Sequence, residues 1–115
     1  MLKVFSIHEE GKPEVGTLTY DTEKEEFTLR VNDMVNKQSM PFVMEIMFDR
    51  GMQEVNPELS MCFVRERIFP PDRAGISTIL ADLGMLYYDE YIMLAKLKGR
   101  CVMDNFLVEP TFDEI

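Results

Sequence analysis

Few residues in this chain belong to the types that usually carry out chemistry. His8 is the only histidine, and it stands beside Glu9 and Glu10 with no cysteine or second histidine near it in the sequence. Because zinc sites and His-based catalytic triads need such partners, we interpret His8 as a solvated residue in a surface loop. The phosphate-binding patterns GxxxxGK[ST] and GxGxxG do not occur. The sequence therefore predicts a protein that is not an enzyme, with no catalytic residues, no metal site and no cofactor.

The remaining reactive groups have structural explanations. Cys62 and Cys101 both lie within apolar runs, which favours buried free thiols over a disulfide bond. The carboxylates of Glu23, Glu25 and Glu26 could in principle form acid–base pairs. A run of charges beside a turn is more often a solvated surface, and we interpret these glutamates in that way.

Arginine and tyrosine, which are enriched at the hot spots of protein interfaces, suggest a binding surface instead. The residues that we predict to bind a partner are Arg65, Arg67, Arg73, Tyr87 and Tyr88. The arginines flank Pro70–Pro71, a rigid corner whose side chains have little ordering entropy to lose. The two tyrosines fall in the next connection between helices. If the first two helices pack antiparallel, the two corners lie at opposite ends of the second helix as separate patches, and we prefer the arginine corner.

Ion pairing within the fold is the alternative explanation for the arginines. Their nearby acidic residues are Glu66, Asp72 and Asp82. Arg65 and Arg67 are two positions apart, so on a helix their side chains point in different directions and cannot bind one group together. Ordinary ion pairs with those carboxylates would leave the arginines with no further role.

The first third of the chain has the period-two alternation of β-strands. The predicted strands are Leu2–Ile7, Val15–Tyr20 and Glu26–Val31. A short acidic loop joins the second and third, which predicts a hairpin, and Asn32–Gln38 is a polar connector. The apolar segment Phe42–Phe48 fits either a buried strand or part of a helix, and a strand is favoured.

The pattern becomes helical from Asn56, a good N-cap followed by proline. This helix is expected to run to about Phe69 and to stop at Pro70–Pro71. A second helix carries a stripe with core-facing spacing and ends at Gly84, and a third runs from Asp89 to Gly99. The stripe consists of Ile76, Ile79, Leu80 and Leu83. A final strand is predicted near Val102–Val108.

These elements predict an α+β fold in a single domain over residues 1–115. The order is an N-terminal antiparallel hairpin or small sheet, about three short helices and a final strand. The net charge of −9, from 21 acidic and 12 basic residues, argues against direct binding of nucleic acid or of an anionic membrane. No apolar run approaches the ~20 residues of a membrane span, and acidic residues follow the first strand too early for a signal peptide. We therefore expect a cytoplasmic protein.

Several short motifs resemble the small N-terminal subdomain of HipA-type serine/threonine kinases, the toxins of bacterial toxin–antitoxin systems. Val15–Asp21, followed by Phe27, is similar to the first hairpin of that subdomain, and Ser39–Pro41 is similar to its Ser-to-Pro element. Phe63–Pro70 and then Leu83–Gly99 follow in the order of its later segments. In the family, Glu-Gly usually follows the proline that corresponds to Pro70. In this chain Pro71-Asp72 stands at that place instead. The kinase body is absent from the 115 residues, so no kinase site is carried over.

The resemblance implies a partner, because in this family the subdomain is sometimes a separate chain that neutralises a split kinase. The first hypothesis is a bacterial interaction module that docks on, and regulates, a separately encoded HipA-like kinase. The alternative is a mobile-element or phage protein whose acidic surface blocks a basic nucleic-acid-binding protein. The first hypothesis predicts that the helical C-terminal elements bind the partner. The alternative predicts that the clustered carboxylates bind it.

Overall fold

The computed structural model of the chain describes residues 1–32 and 40–112. Its strands are β1 (Leu2–Glu9), β2 (Gly16–Asp21), β3 (Glu26–Val31) and β4 (Phe106–Pro110), and its helices are α1 (Phe42–Asp49), α2 (Pro57–Arg65), α3 (Ile76–Asp82) and α4 (Glu90–Leu97). The strands form one antiparallel sheet in the order β3-β2-β1-β4. This confirms the α+β class, the N-terminal hairpin and the final strand. The predicted connector Asn32–Gln38 lies outside the described residues from position 33 onward.

Alternation along the strands directs one face of the sheet into the core. Phe5, Leu18 and Leu29 pair in register across β1, β2 and β3, and all three side chains are fully buried. Ile7 pairs with Val108 of β4 in the same way. Burial of these side chains supplies the main stabilising term, at about 1.5–3 kcal/mol for each one.

The segment favoured as a strand, Phe42–Phe48, is helical, so that prediction was wrong. It forms α1, which buries Met44 and Met47 and leaves Phe42 exposed. A strand here would have needed a free sheet edge. At Leu29 and Val31 the outer edge of β3 is bonded instead to the segment that precedes α2, where the Val31 N–H donates to the Gln53 carbonyl over 2.8 Å.

Helix α2 begins as predicted and ends earlier than predicted. The Asn56 side chain accepts a hydrogen bond from the Leu59 N–H over 2.9 Å, which caps the helix. The buried Ser60 hydroxyl accepts from the Leu29 N–H and thereby fixes α2 against β3. The helix stops at Arg65 rather than near Phe69, because the chain turns so that Arg67 enters the interior.

Helix α3 ends at Asp82 and is closed by Gly84, the predicted capping residue, but its stripe is not buried. Gly84 has φ +73°, and the Met85 N–H donates to the Leu80 carbonyl over 2.8 Å, as in a Schellman motif. The stripe residues Ile76, Ile79, Leu80 and Leu83 are only half-buried, and α3 buries no residue fully. The predicted buried stripe packed on the sheet was therefore wrong, since α3 lies at the margin of the core.

Helix α4 begins next to the predicted start at Asp89, and β4 starts later than predicted. The Asp89 side chain accepts from the N–H groups of Tyr91 and Ile92. After α4 the chain turns through Gly99, where a Cβ would lie 2.5 Å from that of Val108. The predicted strand start, Val102, is fully exposed in the loop that follows.

Three side chains have environments that differ from those expected. His8 is half-buried in β1 rather than in a loop, and its Nε2 lies 3.1 Å from Glu109 Oε1 on β4. Both cysteines are free, as predicted, but neither is buried: Cys62 is exposed and Cys101 is partly exposed. Cys62 faces outward because its neighbours Phe63 and Val64 take the inner side of α2.

Candidate partner-binding site

Arg67, one of the five predicted binding residues, lies inside the protein. Its side chain is only 3% exposed, and its guanidinium lies 4.7 Å above the Phe63 ring. One of its nitrogens donates to the Gly99 carbonyl over 2.8 Å, and another forms an ion pair with Asp104. Asp104 was not among the carboxylates considered from the sequence. Arg67 thus contributes to the interior and not to the exposed surface.

The Arg67–Asp104 pair organises the loop between α4 and β4. Asp104 also accepts the Phe106 N–H over 3.0 Å, so a single carboxylate binds both the arginine and the start of β4. Among the described residues, Arg67 Nε is a buried donor with no hydrogen-bond partner. The arginine is therefore held by charge and by carbonyl oxygens at some cost in desolvation.

The predicted arginine and tyrosine corners meet in space. The Tyr88 hydroxyl donates to the Phe69 carbonyl over 2.7 Å, directly before Pro70. The Phe69 N–H in turn points at Met93 Sδ of α4, 3.3 Å away. The expectation of two separate patches was wrong, because the connection before α4 returns to the proline corner instead of remaining at the far end of α3.

Arg73 lies on the exposed side of the same corner. Its guanidinium lies 4.7 Å from the centre of the Phe69 ring, a cation–π geometry, while the residue stays exposed. Its backbone N–H donates to the Pro70 carbonyl over 3.2 Å and closes the turn. We call the surface formed by Arg65, Phe69, Arg73, Tyr87 and Tyr88 the Arg–Tyr corner.

Electrostatics connect Arg65 to the same corner. Burial raises the pKa of the Glu90 carboxyl, and the positive charge of Arg65 opposes that rise. Burial also raises the pKa of the Tyr88 phenol above its ordinary value, and Glu90 adds to the shift while Arg65 opposes it. The Tyr88 phenol therefore stays protonated near neutral pH and can donate to the Phe69 carbonyl.

Two exposed side chains beside the hydrogen-bonded Tyr88 offer contact area. Tyr87 is 63% exposed, and its neighbour Leu86 is 98% exposed, although both adjoin the well-tethered Tyr88. Within residues 1–32 and 40–112, no group of three or more His, Cys, Asp or Glu side chains could hold a metal ion. No helix in the same ranges is both long and apolar enough to cross a bilayer.

Sequence reasoning missed two members of the neighbourhood, Phe69 and Glu90. Phe69 was treated only as the end of a helix, although its spacing to Arg73 is one at which an arginine can reach an aromatic ring. Glu90 was not considered, because its charge interaction with Arg65 of α2 depends on the tertiary fold. Arg73 and Tyr88 meet at Phe69, and Tyr87 is exposed next to Tyr88 in the sequence. Arg65 acts on Tyr88 through its charge, whereas Arg67 is separated from these residues by burial.

Comparisons with known proteins assign no relative to this chain. No family model matches it, and no curated protein or solved structure matches it either.

Proposed function

We propose that this chain is a non-catalytic protein-interaction module that docks on a partner through the Arg–Tyr corner. The observation that carries the proposal is the rigid display of exposed arginine and tyrosine side chains on a tethered corner. Pro70–Pro71 restricts the backbone, and the Tyr88–Phe69 hydrogen bond holds the corner to the connection before α4. Such preorganisation lowers the entropy lost on binding.

The exposed groups define the chemistry that a partner should offer. Arg65 and Arg73 can form bidentate hydrogen bonds with carboxylates, and Tyr87 and Leu86 offer amphipathic and apolar contact area. Arg65 and Arg73 give the corner two positive charges on a chain with a net charge of −9, with Glu90 and Asp72 close by. A matching partner surface would therefore combine acidic groups with an apolar recess at its centre.

The partner that we propose is a HipA-like kinase in the cytoplasm, encoded separately and lacking its own N-terminal subdomain. This part of the proposal rests on the resemblance in residues 15–27, 39–41 and 63–99. Docking of the missing subdomain would regulate the kinase without any active residue from this chain. The alternative partner, a basic nucleic-acid-binding protein, would contact carboxylates and would be insensitive to the corner arginines.

Isothermal titration of this chain against such a kinase from the same genome tests the proposal. Arg65→Ala and Arg73→Ala should each weaken binding by about tenfold, which corresponds to ~1.4 kcal/mol. Arg50→Ala is the matched control, because Arg50 is exposed at the end of α1 and away from the corner. Absence of binding, or equal losses for all three variants, would reject the proposal.

A further inference from the structure

His8, the only histidine of the chain, lies between β1 and β4 with both of its ring nitrogens facing oxygen atoms. Its Nε2 lies 3.1 Å from Glu109 Oε1, and its Nδ1 lies 2.9 Å from the carbonyl oxygen of Glu9. The residue opposite His8 in β4 is Leu107, so the contact with Glu109 runs diagonally from one strand to the other. The His8 side chain is only 18% exposed, so water reaches little of the ring.

These two contacts fit one protonation state of the imidazole ring. Neutral histidine has one N–H group and one lone pair, so it can donate a hydrogen bond to only one of the two oxygens. The other nitrogen would then turn its lone pair toward an oxygen atom, and no hydrogen bond would form there. The protonated ring has two N–H groups and can donate to both oxygens. Its bond to the Glu109 carboxylate is then charge-assisted, which makes it stronger than a neutral one.

The other charged groups around His8 leave Glu109 to the histidine. Within residues 1–32 and 40–112, no lysine or arginine forms an ion pair with Glu109. On β1, the Glu9 carboxylate pairs with Lys12 over 3.1 Å. On the β2 side, the Glu14 carboxylate accepts a hydrogen bond from a serine hydroxyl of β1 over 2.6 Å. The ring is therefore the cationic group that the described structure offers to Glu109.

We propose that His8 and Glu109 form a pH-sensitive contact that holds β4 against β1 when the histidine ring carries two protons. Because the fold favours the protonated ring, the contact stabilises the folded chain in mildly acidic solution. This contribution is lost as the pH rises and the ring gives up one proton. The inference goes beyond the Arg–Tyr corner, and it does not rest on any partner.

The two ends of β4 are held by contacts that respond differently to pH. At its start, the Phe106 N–H donates to Asp104, which also pairs with the buried Arg67. Arginine and aspartate keep their charges over the range in which histidine ordinarily titrates. Toward its end, Glu109 faces His8. A rise in pH should therefore loosen the end of β4 and leave its start in place.

Urea unfolding of the full chain at about pH 5.5 and about pH 8 tests this contact, because histidine changes its charge between these values. Glu109→Gln keeps the shape of the side chain and removes its charge. At the lower pH it should raise the unfolding equilibrium constant about fivefold, since the charge-assisted bond to His8 is lost. At the higher pH the rise should be less than about twofold, because the neutral ring has no charge to pair.

Two comparisons assign the pH dependence to this pair of residues. Glu54→Gln is the matched control, because Glu54 pairs with Arg30 at 2.7 Å on the partly exposed surface and no histidine takes part. It should have the same effect at both pH values. In a His8→Phe background, Glu109→Gln should also have the same effect at both. The inference is overturned by equal effects of Glu109→Gln in the natural sequence, by a pH dependence that persists in His8→Phe, or by the same dependence for Glu54→Gln.

Discussion

Arg67 and Arg73 stand on either side of Pro70–Pro71, yet they occupy opposite environments. Arg67 is buried against Phe63 and bound to Asp104, whereas Arg73 lies exposed over the Phe69 ring. The two arginines are close in sequence and chemically identical. What separates them is whether the fold brings acceptors to the guanidinium, and this decides which arginine supports the structure and which remains available to a partner.

The largest expected effect belongs to the buried side of this comparison. Arg67→Ala leaves the Asp104 carboxylate and the Gly99 carbonyl without their donor, so it should cost about 3–5 kcal/mol of unfolding free energy. That is a large share of the ~5–15 kcal/mol typical of a domain. Urea unfolding followed by circular dichroism measures it.

A second variant tests whether the loss of stability comes from lost packing alone. Arg67→Met retains most of the side-chain volume above Phe63. The double variant Arg67→Met/Asp104→Leu removes both charges together. The double variant should be more stable than Arg67→Ala, because no charge is left buried and unpaired. Equal stabilities would mean that the ion pair is not what makes Arg67 structural.

Helix α3 provides an intermediate case, since it leads from the corner to the margin of the core. Leu80 is half-buried and packs against the core cluster. Leu80→Ala should therefore cost about 1–2 kcal/mol, below the ~2–5 kcal/mol of a fully buried leucine. A loss of ~4 kcal/mol in chemical denaturation would show that α3 is as deeply packed as the strands.

A smaller effect is expected at the Tyr88–Phe69 hydrogen bond, which holds the corner to the connection before α4. Tyr88→Phe removes the hydroxyl that donates to the Phe69 carbonyl and keeps the ring, so stability should fall by about 1 kcal/mol. Tyr87→Phe is the matched control, because Tyr87 is exposed, and it should change stability by less than ~0.5 kcal/mol. Comparable losses in thermal unfolding would argue against a specific tether.

Local patterns in the sequence predicted the elements whose determinants are local. Strand alternation identified the sheet, and the caps at Asn56 and Gly84 were assigned correctly. The helix at Phe42–Asp49 was missed, because a short apolar run does not distinguish helix from strand. The deciding fact, that another segment already occupies the β3 edge, is a tertiary contact.

The site was predictable in its residue types but not in its geometry. Arg65, Arg73, Tyr87 and Tyr88 were chosen because arginine and tyrosine are common in interfaces. Of these, Arg73 and Tyr88 meet at Phe69. This proximity depends on the hydrogen bond between Tyr88 and Phe69, which lie on either side of α3 in the sequence. The burial of Arg67 depends on Gly99 and Asp104, which are remote in sequence, so no local spacing could reveal it.

The most direct test of the central claim is the affinity of Arg73→Glu for the HipA-like kinase, measured by titration calorimetry. Arg73 is exposed, so charge reversal should cost no more than about 1 kcal/mol of unfolding free energy, from its lost contact with the Phe69 ring. If the Arg–Tyr corner docks on the partner, the affinity should fall at least about tenfold, while Arg50→Glu leaves it unchanged. An unchanged affinity for Arg73→Glu would contradict the account.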